Sequence, residues 1–134
     1  MTPSEILELQ NELVATLANA VRKPWRFIAV NIEIDEIDGQ KTENCLMLRW
    51  AKRFRKLVRR DEELPSVCYG QFRLLRDRMI PHSDRPWQSC TLVVSSEGRY
   101  RFEFSYDPAK RLNGIHDDQA MLSGFDPADF LNNP

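Results

Sequence analysis

Charged side chains of opposite sign are concentrated in two neighbouring stretches of this chain. Residues 31–48 carry five carboxylates against the single Lys41, namely Glu33, Asp35, Glu36, Asp38 and Glu43. Residues 49–60 carry seven cations and no acid; these cations, called the basic block below, are Arg49, Lys52, Arg53, Arg55, Lys56, Arg59 and Arg60. The first stretch has the chemistry to dock a basic partner. The second, interleaved with Trp50 and Phe54, has the chemistry to hold nucleic-acid phosphates.

Each stretch also has a simpler interpretation. Strand alternation places Glu33 and Asp35 side by side on an open face, where water keeps carboxylates solvated and does not tune them for proton transfer. The acidic stretch is therefore either a solvated surface or a docking site. The basic block is either a phosphate-binding patch or a charged strand edge that blocks edge-to-edge pairing. We favour the edge interpretation, because the flanking acids weaken phosphate binding.

Motifs for catalysis or for metal binding are not found in the sequence. There is no phosphate-binding glycine loop, no HExxH and no nucleophile elbow. His116 precedes Asp117 and Asp118, but no further ligands are nearby in the sequence. The three cysteines are widely spaced and form no CxxC pair, so we expect reduced core thiols at Cys45, Cys68 and Cys90. We expect a protein that is not an enzyme and has no cofactor.

Length and composition favour one domain spanning residues 1–134. A chain of 134 residues can bury a sizeable core without disulfides or metals. The formal net charge of -1 gives no overall attraction to nucleic acid or to an anionic membrane. No apolar run is long enough to span a membrane, and the acidic, helix-like start is unlike a signal peptide. These features predict a cytoplasmic protein with no membrane partner.

The periodicity predicts an α+β fold. A helix runs from an N-cap at Ser4 to about residue 21, and a second runs from about 64 to 79 with Val67, Cys68, Phe72, Leu75 and Met79 facing inward. Between them, strands flank an Asp38-Gly39 turn, and a short strand lies near 54–58. We expect an antiparallel sheet of four to five strands with both helices on one face. From about residue 108 a less regular tail follows, closing with a helical turn at 127–131.

The stretch from residue 87 to 107, WQSCTLVVSSEGRYRFEFSYD, predicts a second hairpin. Two alternating strands meet at Gly98, a residue that tolerates the positive φ of tight turns. One face of this hairpin is apolar and carries Cys90, Leu92, Val94, Tyr100, Phe102, Phe104 and Tyr106. So broad an apolar face must be covered, and we expect the two helices to cover it.

This hairpin also carries a family resemblance. In its order of elements the chain resembles the YezG-like (EsaG-like) family of bacterial immunity proteins. The elements are an N-terminal helix, a strand with Asn31 and Glu33 and a middle helix. A tryptophan, an alternating strand, a glycine turn and an aromatic strand ending in Tyr-Asp then follow. The positions of the hairpin that match are Trp87, Thr91, Leu92, Gly98, Tyr100, Phe102, Tyr106 and Asp107. The resemblance spans roughly residues 6–108. The dense basic block and the tail after Asp107 depart from the family pattern.

The resemblance implies an immunity protein, or antitoxin. Such a protein binds the C-terminal toxin domain of a secreted polymorphic toxin, often a nuclease, encoded next to it. Nuclease domains tend to be basic, so the expected contacts are acidic: Glu33, Asp35, Glu36, Asp38, Asp107, Asp117 and Asp118. If the toxin is acidic, the basic block is the expected contact. Two alternatives stay open: a nucleic-acid-binding module in which Trp50 and Phe54 stack on bases, and a small adaptor subunit.

Overall fold

The computed structural model describes residues 3–133, except for the side chain of His82. Its helices and strands, in chain order, are α1 (Pro3–Ala20), β1 (Phe27–Ile37), β2 (Gln40–Arg53), β3 (Lys56–Glu62), α2 (Ser66–Met79), β4 (Ser89–Ser95), β5 (Tyr100–Ser105) and α3 (Pro127–Asn132). Short 3-10 helices occupy Ile80–His82 and Arg111–Asn113. No helix in residues 3–133 combines the length and the apolar character that crossing a membrane requires.

The five strands form one antiparallel sheet in the order β3-β2-β1-β4-β5. The predicted α+β fold, an antiparallel sheet of four to five strands with an N-terminal helix and a middle helix on one face, is confirmed, and the sheet has five strands. The predicted turn is also present, with Asp38 and Gly39 at φ values of 53° and 79°. Both residues are therefore left-handed, as the common two-residue hairpin turn requires. In the register that follows, β1 pairs with β2 over its whole length.

One face of the sheet packs against α1 and α2. The alternate residues Ile28, Val30, Ile32 and Ile34 of β1 are fully buried in the same cluster as residues of both helices. The partly buried aromatic residues of β5 pack against this cluster, and the fully buried Trp87 lies 5.6 Å from Phe104 between ring centroids. The apolar face of the second hairpin is therefore core, as predicted from its alternation.

The opposite face of the sheet is covered by the C-terminal segment, residues 108–133. Ala29, Leu48 and Val93 lie on this face by register and are fully buried. Leu122 and Leu131 of the segment are also buried and pack with them in a second core cluster. The prediction of a wet face on β1 is therefore wrong. The C-terminal segment covers this face, and the cover was missed because the apolar residues of the segment follow no helical or strand period. Only α3 was predicted there, and the side chain of Asp126 caps it by accepting hydrogen bonds from the backbone N–H groups of Ala128 and Asp129.

Several predicted details also differ from the structure. Ser4 lies inside α1 instead of capping it. The third strand is displaced towards the C-terminus, because Phe54 lies in the turn that precedes β3. Val67 is 57% exposed. The buried α2 residues Cys68, Phe72 and Leu75 follow the helical spacing of four and three, which turns Val67 away from the core.

We expect the substitution Leu131→Ala to destabilise the protein by roughly 2–4 kcal/mol, because it opens a cavity in the second core cluster. The matched control is Leu7→Ala on the exposed side of α1, where the change should stay within about 0.5 kcal/mol. Urea denaturation followed by circular dichroism measures both free energies of unfolding. Equal values for the two variants would mean that the C-terminal segment does not pack on the sheet.

Candidate functional site

The two charged stretches lie at opposite ends of the sheet. Strand β2 runs antiparallel to both β1 and β3, so the turns on either side of it are separated by its 14 residues, a distance of about 45 Å. The turn with Asp38 marks one end, called the acidic end. The turn with Phe54 marks the other, called the basic end. Asp107 follows β5 at the acidic end, because Ser105 pairs with Ser89 and Ser89 pairs with Glu33.

Glu33, predicted to lie on the open face, is buried under the C-terminal segment, with 3% of its surface exposed. Its Oε2 accepts a hydrogen bond from the backbone N–H of Arg111 at 3.1 Å, and its Oε1 accepts one from that of Leu112 at 2.9 Å. The carboxylate thus satisfies the first amides of the 3-10 helix Arg111–Asn113. Its Oε2 also lies 3.6 Å from Nη1 of Arg111. Burial removes Glu33 from the residues available to a partner.

Arg111 is the buried cation that balances the charge of Glu33. Its guanidinium donates to Asn44 Oδ1 at 2.7 Å, to Asn31 Oδ1 at 2.8 Å, to the Ala120 carbonyl at 2.7 Å, to the Asn31 carbonyl at 2.9 Å and to the Asn44 carbonyl at 3.3 Å. These contacts match the five N–H donors of arginine. Burial lowers the pKa of Arg111, and the charge of Glu33 opposes that shift. Arg111 therefore joins β1, β2 and the C-terminal segment.

Sequence reasoning missed Arg111, because the segment that contains it has no periodicity. A signal was nevertheless present on the supposedly wet face of β1. Ala29 precedes Asn31 and Glu33 on that face, and Leu48 and Val93 pair with Ala29. Apolar residues at the centre of a sheet face indicate a covering layer, and the polar residues beside them then need buried partners.

A cleft of about 490 Å³ opens between β1, β4, β5 and the C-terminal segment. Its lining is largely polar and includes Glu103, Asp107, Lys110 and Asp118. Within it, Asn31 Nδ2 donates to Thr91 Oγ1 at 2.9 Å. The fold thus brings Asp107 and Asp118, which the sequence separates, to one cleft beside the buried Glu33.

The other predicted acidic residues remain at the surface. Glu36 and Asp38 are exposed at the turn, and Asp35 is partly buried, with its Oδ1 accepting a hydrogen bond from the backbone N–H of Glu36 at 2.8 Å. Asp117 is exposed and forms an ion pair with Lys110 at 2.8 Å. Lys110 lowers the pKa of Asp117, and a hydrogen bond from the Ala120 N–H lowers it further. Five predicted carboxylates are therefore exposed: Glu36, Asp38, Asp107, Asp117 and Asp118.

Two members of the basic block serve the fold. Arg49 Nε lies 2.6 Å from Glu62 Oε1, and its Nη1 donates to the Pro24 carbonyl at 2.9 Å. Arg59 donates to the backbone carbonyls of Leu122 and Met121 and so anchors the C-terminal segment. The other five members are exposed: Lys52, Arg53, Arg55, Lys56 and Arg60.

The two aromatic residues within the basic block have different environments. Trp50 is 6% exposed, and its ring centroid lies 6.2 Å from that of Phe125 in the second core cluster. The idea that Trp50 stacks on bases is therefore wrong. Phe54 is 91% exposed at the basic end.

The three cysteine side chains lie in or beside the first core cluster. Cys45, Cys68 and Cys90 are free thiols, as predicted; Cys68 and Cys90 are buried and Cys45 is partly buried. Burial raises the pKa of Cys45 to about 12, with the Arg111 charge opposing the shift, and raises that of Cys90 well above its usual range. Within residues 3–133, no group of three or more His, Cys, Asp or Glu side chains is placed to hold a metal ion.

Comparison with known proteins finds no family model that matches this sequence and no matching curated protein. The resemblance to YezG-like immunity proteins therefore stays a prediction.

We expect Glu33→Gln to destabilise the fold by about 3 kcal/mol, because it leaves the buried Arg111 without a counter-charge. Glu103→Gln is the matched control; Glu103 pairs with Arg101 at 2.9 Å, but its side chain is 57% exposed, so the loss should stay below about 1 kcal/mol. Thermal and urea unfolding measure both variants. Similar small losses would contradict a structural role for the buried pair.

We expect Lys110→Gln to raise the pKa of Asp117 towards its ordinary value, because it removes the main cause of the lowering. A carboxylate with a lowered pKa stabilises the folded state above its unfolded pKa, and this contribution is lost as the pH falls through the folded pKa. NMR titration of the Asp117 carboxyl carbon measures the shift directly. Lys41→Gln, which removes a lysine paired with Asp77 elsewhere, should leave the Asp117 titration unchanged.

Proposed function

We propose that this protein is an immunity protein that binds and neutralises the toxic C-terminal domain of a polymorphic toxin, with its acidic end as the docking surface. The observation that carries the proposal is that exposed carboxylates from distant segments of the chain lie at the same end of the sheet. Glu36 and Asp38 come from the first hairpin, and Asp107 follows the last strand at the same end of the sheet. Asp118 joins them by lining the cleft that Asp107 also lines.

Electrostatics supports a cationic partner for this end. Glu36, Asp38, Asp107 and Asp118 are exposed and form no ion pair within residues 3–133, so they create a local negative field although the net charge of the chain is only -1. Such a field accelerates the association of a basic protein, and its effect weakens as salt screens it. Nuclease domains are basic because they hold phosphates, so a nuclease toxin suits this surface.

The backbone geometry and the contacts of the acidic end also support docking. The Asp38-Gly39 turn has the backbone geometry that suits a tight hairpin, and the segment around Asp118 is held by Arg111 and by the Lys110–Asp117 ion pair. A preorganised surface loses little conformational entropy on binding. The cleft between Asp107 and Asp118 can receive a protruding basic side chain of the partner.

The proposal is tested with the toxin domain encoded by the adjacent gene. Co-expression of the present protein should restore the growth of cells that produce this domain, and the two purified proteins should form a stable complex. The variant Glu36→Lys/Asp38→Lys should slow association by about tenfold or more and weaken its dependence on salt. Stopped-flow fluorescence at low and moderate salt measures these rates.

The matched control is Lys52→Glu/Lys56→Glu, which reverses two charges at the basic end and should leave growth rescue and association intact. Glu33 is not used for charge reversal, because burial makes its loss a stability effect. Failure of rescue together with failure of complex formation would refute the immunity function. Rescue that survives both acidic-end reversals at the wild-type association rate would move the docking surface elsewhere.

A further inference from the structure

The hairpin tip at the basic end projects beyond the rest of the sheet. Pairing between β1 and β2 ends at Phe27 and Trp50, and the backbone N–H of Arg26 closes it with a hydrogen bond to the Trp50 carbonyl at 2.7 Å. Three further pairs continue between β2 and β3 alone: Ala51 with Val58, Lys52 with Leu57, and Arg53 with Lys56. These pairs form a two-stranded finger that extends about 10 Å past the sheet.

The turn of this finger is built from residues that suit it poorly. Phe54 and Arg55 both have positive φ, at 49° and 71°. A two-residue turn of this kind is normally made by Asn-Gly or Asp-Gly, and the turn at Asp38-Gly39 in the same sheet follows that rule. A bulky side chain in the left-handed region is strained. The sequence thus holds an aromatic and a cationic side chain at a position where other residues would fold more easily.

Phe54 makes no compensating contribution to the core. It is 91% exposed, whereas Trp50 and Phe27 pack in the second core cluster. An exposed aromatic ring at the end of a protruding hairpin is available to stack on a flat ligand group.

Exposed cations surround this ring. Lys52, Arg53, Arg55 and Lys56 flank it in the chain. Arg53, Lys56 and Arg60 lie on one face of the β2–β3 hairpin by register, whereas Lys52 lies on the other face. None of these five forms an ion pair within the part of the chain that the structure describes. Because β3 is an edge strand, its cations also oppose strand addition. Edge protection does not account for Phe54 and Arg55, which lie in the turn.

We propose that this finger binds single-stranded nucleic acid, with Arg53, Arg55, Lys56 and Arg60 holding phosphates and Phe54 stacking on an unpaired base. Aromatic stacking beside a track of cations is how proteins bind single strands without base-specific contacts. The position of Arg60 favours a strand over an anionic membrane. It lies about 13 Å from Lys56 along β3, so a ligand must run beside the finger to reach it. A membrane surface meets only the tip, where the exposed apolar side chains are Phe54 and the half-exposed Leu57.

This site is independent of the proposed function, because it lies at the other end of β2 and its test needs no toxin. Fluorescence anisotropy with a labelled single-stranded oligonucleotide should show binding that weakens roughly fiftyfold between ~50 and ~200 mM salt if these four cations engage phosphates. The corresponding duplex should bind more weakly, because its bases are already stacked.

The variant Phe54→Asn separates stacking from charge and from folding. Asparagine tolerates positive φ, so the melting temperature should be maintained or raised. Affinity for the single strand should nevertheless fall about tenfold with little change in the salt dependence. Lys56→Gln/Arg60→Gln should lower both the affinity and the salt dependence. Arg78→Gln, an exposed cation near the end of α2, is the control and should change neither.

Several outcomes would overturn the proposal. Absence of single-strand binding at ~50 mM salt refutes the site. Equal affinity of the wild type and Phe54→Asn, or tighter binding of the duplex, refutes the stacking role. Binding to phosphatidylserine vesicles without binding to the oligonucleotide assigns the finger to a membrane surface instead.

Discussion

The buried ion pair between Arg111 and Glu33 is the interaction on which the rest of this structure depends. A guanidinium under a protein layer is stable only when its charge is balanced and its donors are satisfied. Glu33 supplies the charge, and Asn31 and Asn44 supply most of the acceptors. Since β1 and β2 place these groups on one face, Arg111 holds the C-terminal segment in a single position over the sheet. The cleft beside it exists because of that position.

Arginine side chains stabilise the rest of the same segment in a similar way. An irregular chain leaves backbone carbonyls without partners, and donors from the sheet must satisfy them. Arg59 donates to Leu122, and Arg101 donates to the Phe130 carbonyl at 3.0 Å while its guanidinium lies 4.2 Å from the centroid of the Phe130 ring. Leu122 and Phe130 then complete the second apolar cluster. A segment with little secondary structure thus becomes a covering layer.

The length of β2 separates the two charged ends in space. A nearly neutral chain has an acidic end and a basic end about 45 Å apart, because the two charged stretches of the sequence lie at the two turns that this strand connects. At physiological salt, interactions between exposed charges are largely screened beyond about 8 Å, so neither end cancels the field of the other. The two proposed partners, a basic protein and a nucleic-acid strand, would therefore bind at separate ends.

Local pattern determined the sheet, both long helices and the aromatic core face, because alternation and helical spacing report which side of an element is apolar. It also identified the charged stretches and the turn at Asp38. Only the tertiary structure decided which charges are available, since burial depends on what covers a residue. Glu33 and Asp38 look alike in sequence, yet one is under the C-terminal segment and the other is exposed. Likewise, Trp50 is buried under the C-terminal segment, whereas Phe54 is exposed in the turn between β2 and β3. The sequence of that segment has no periodicity, so it does not reveal which residues the segment covers.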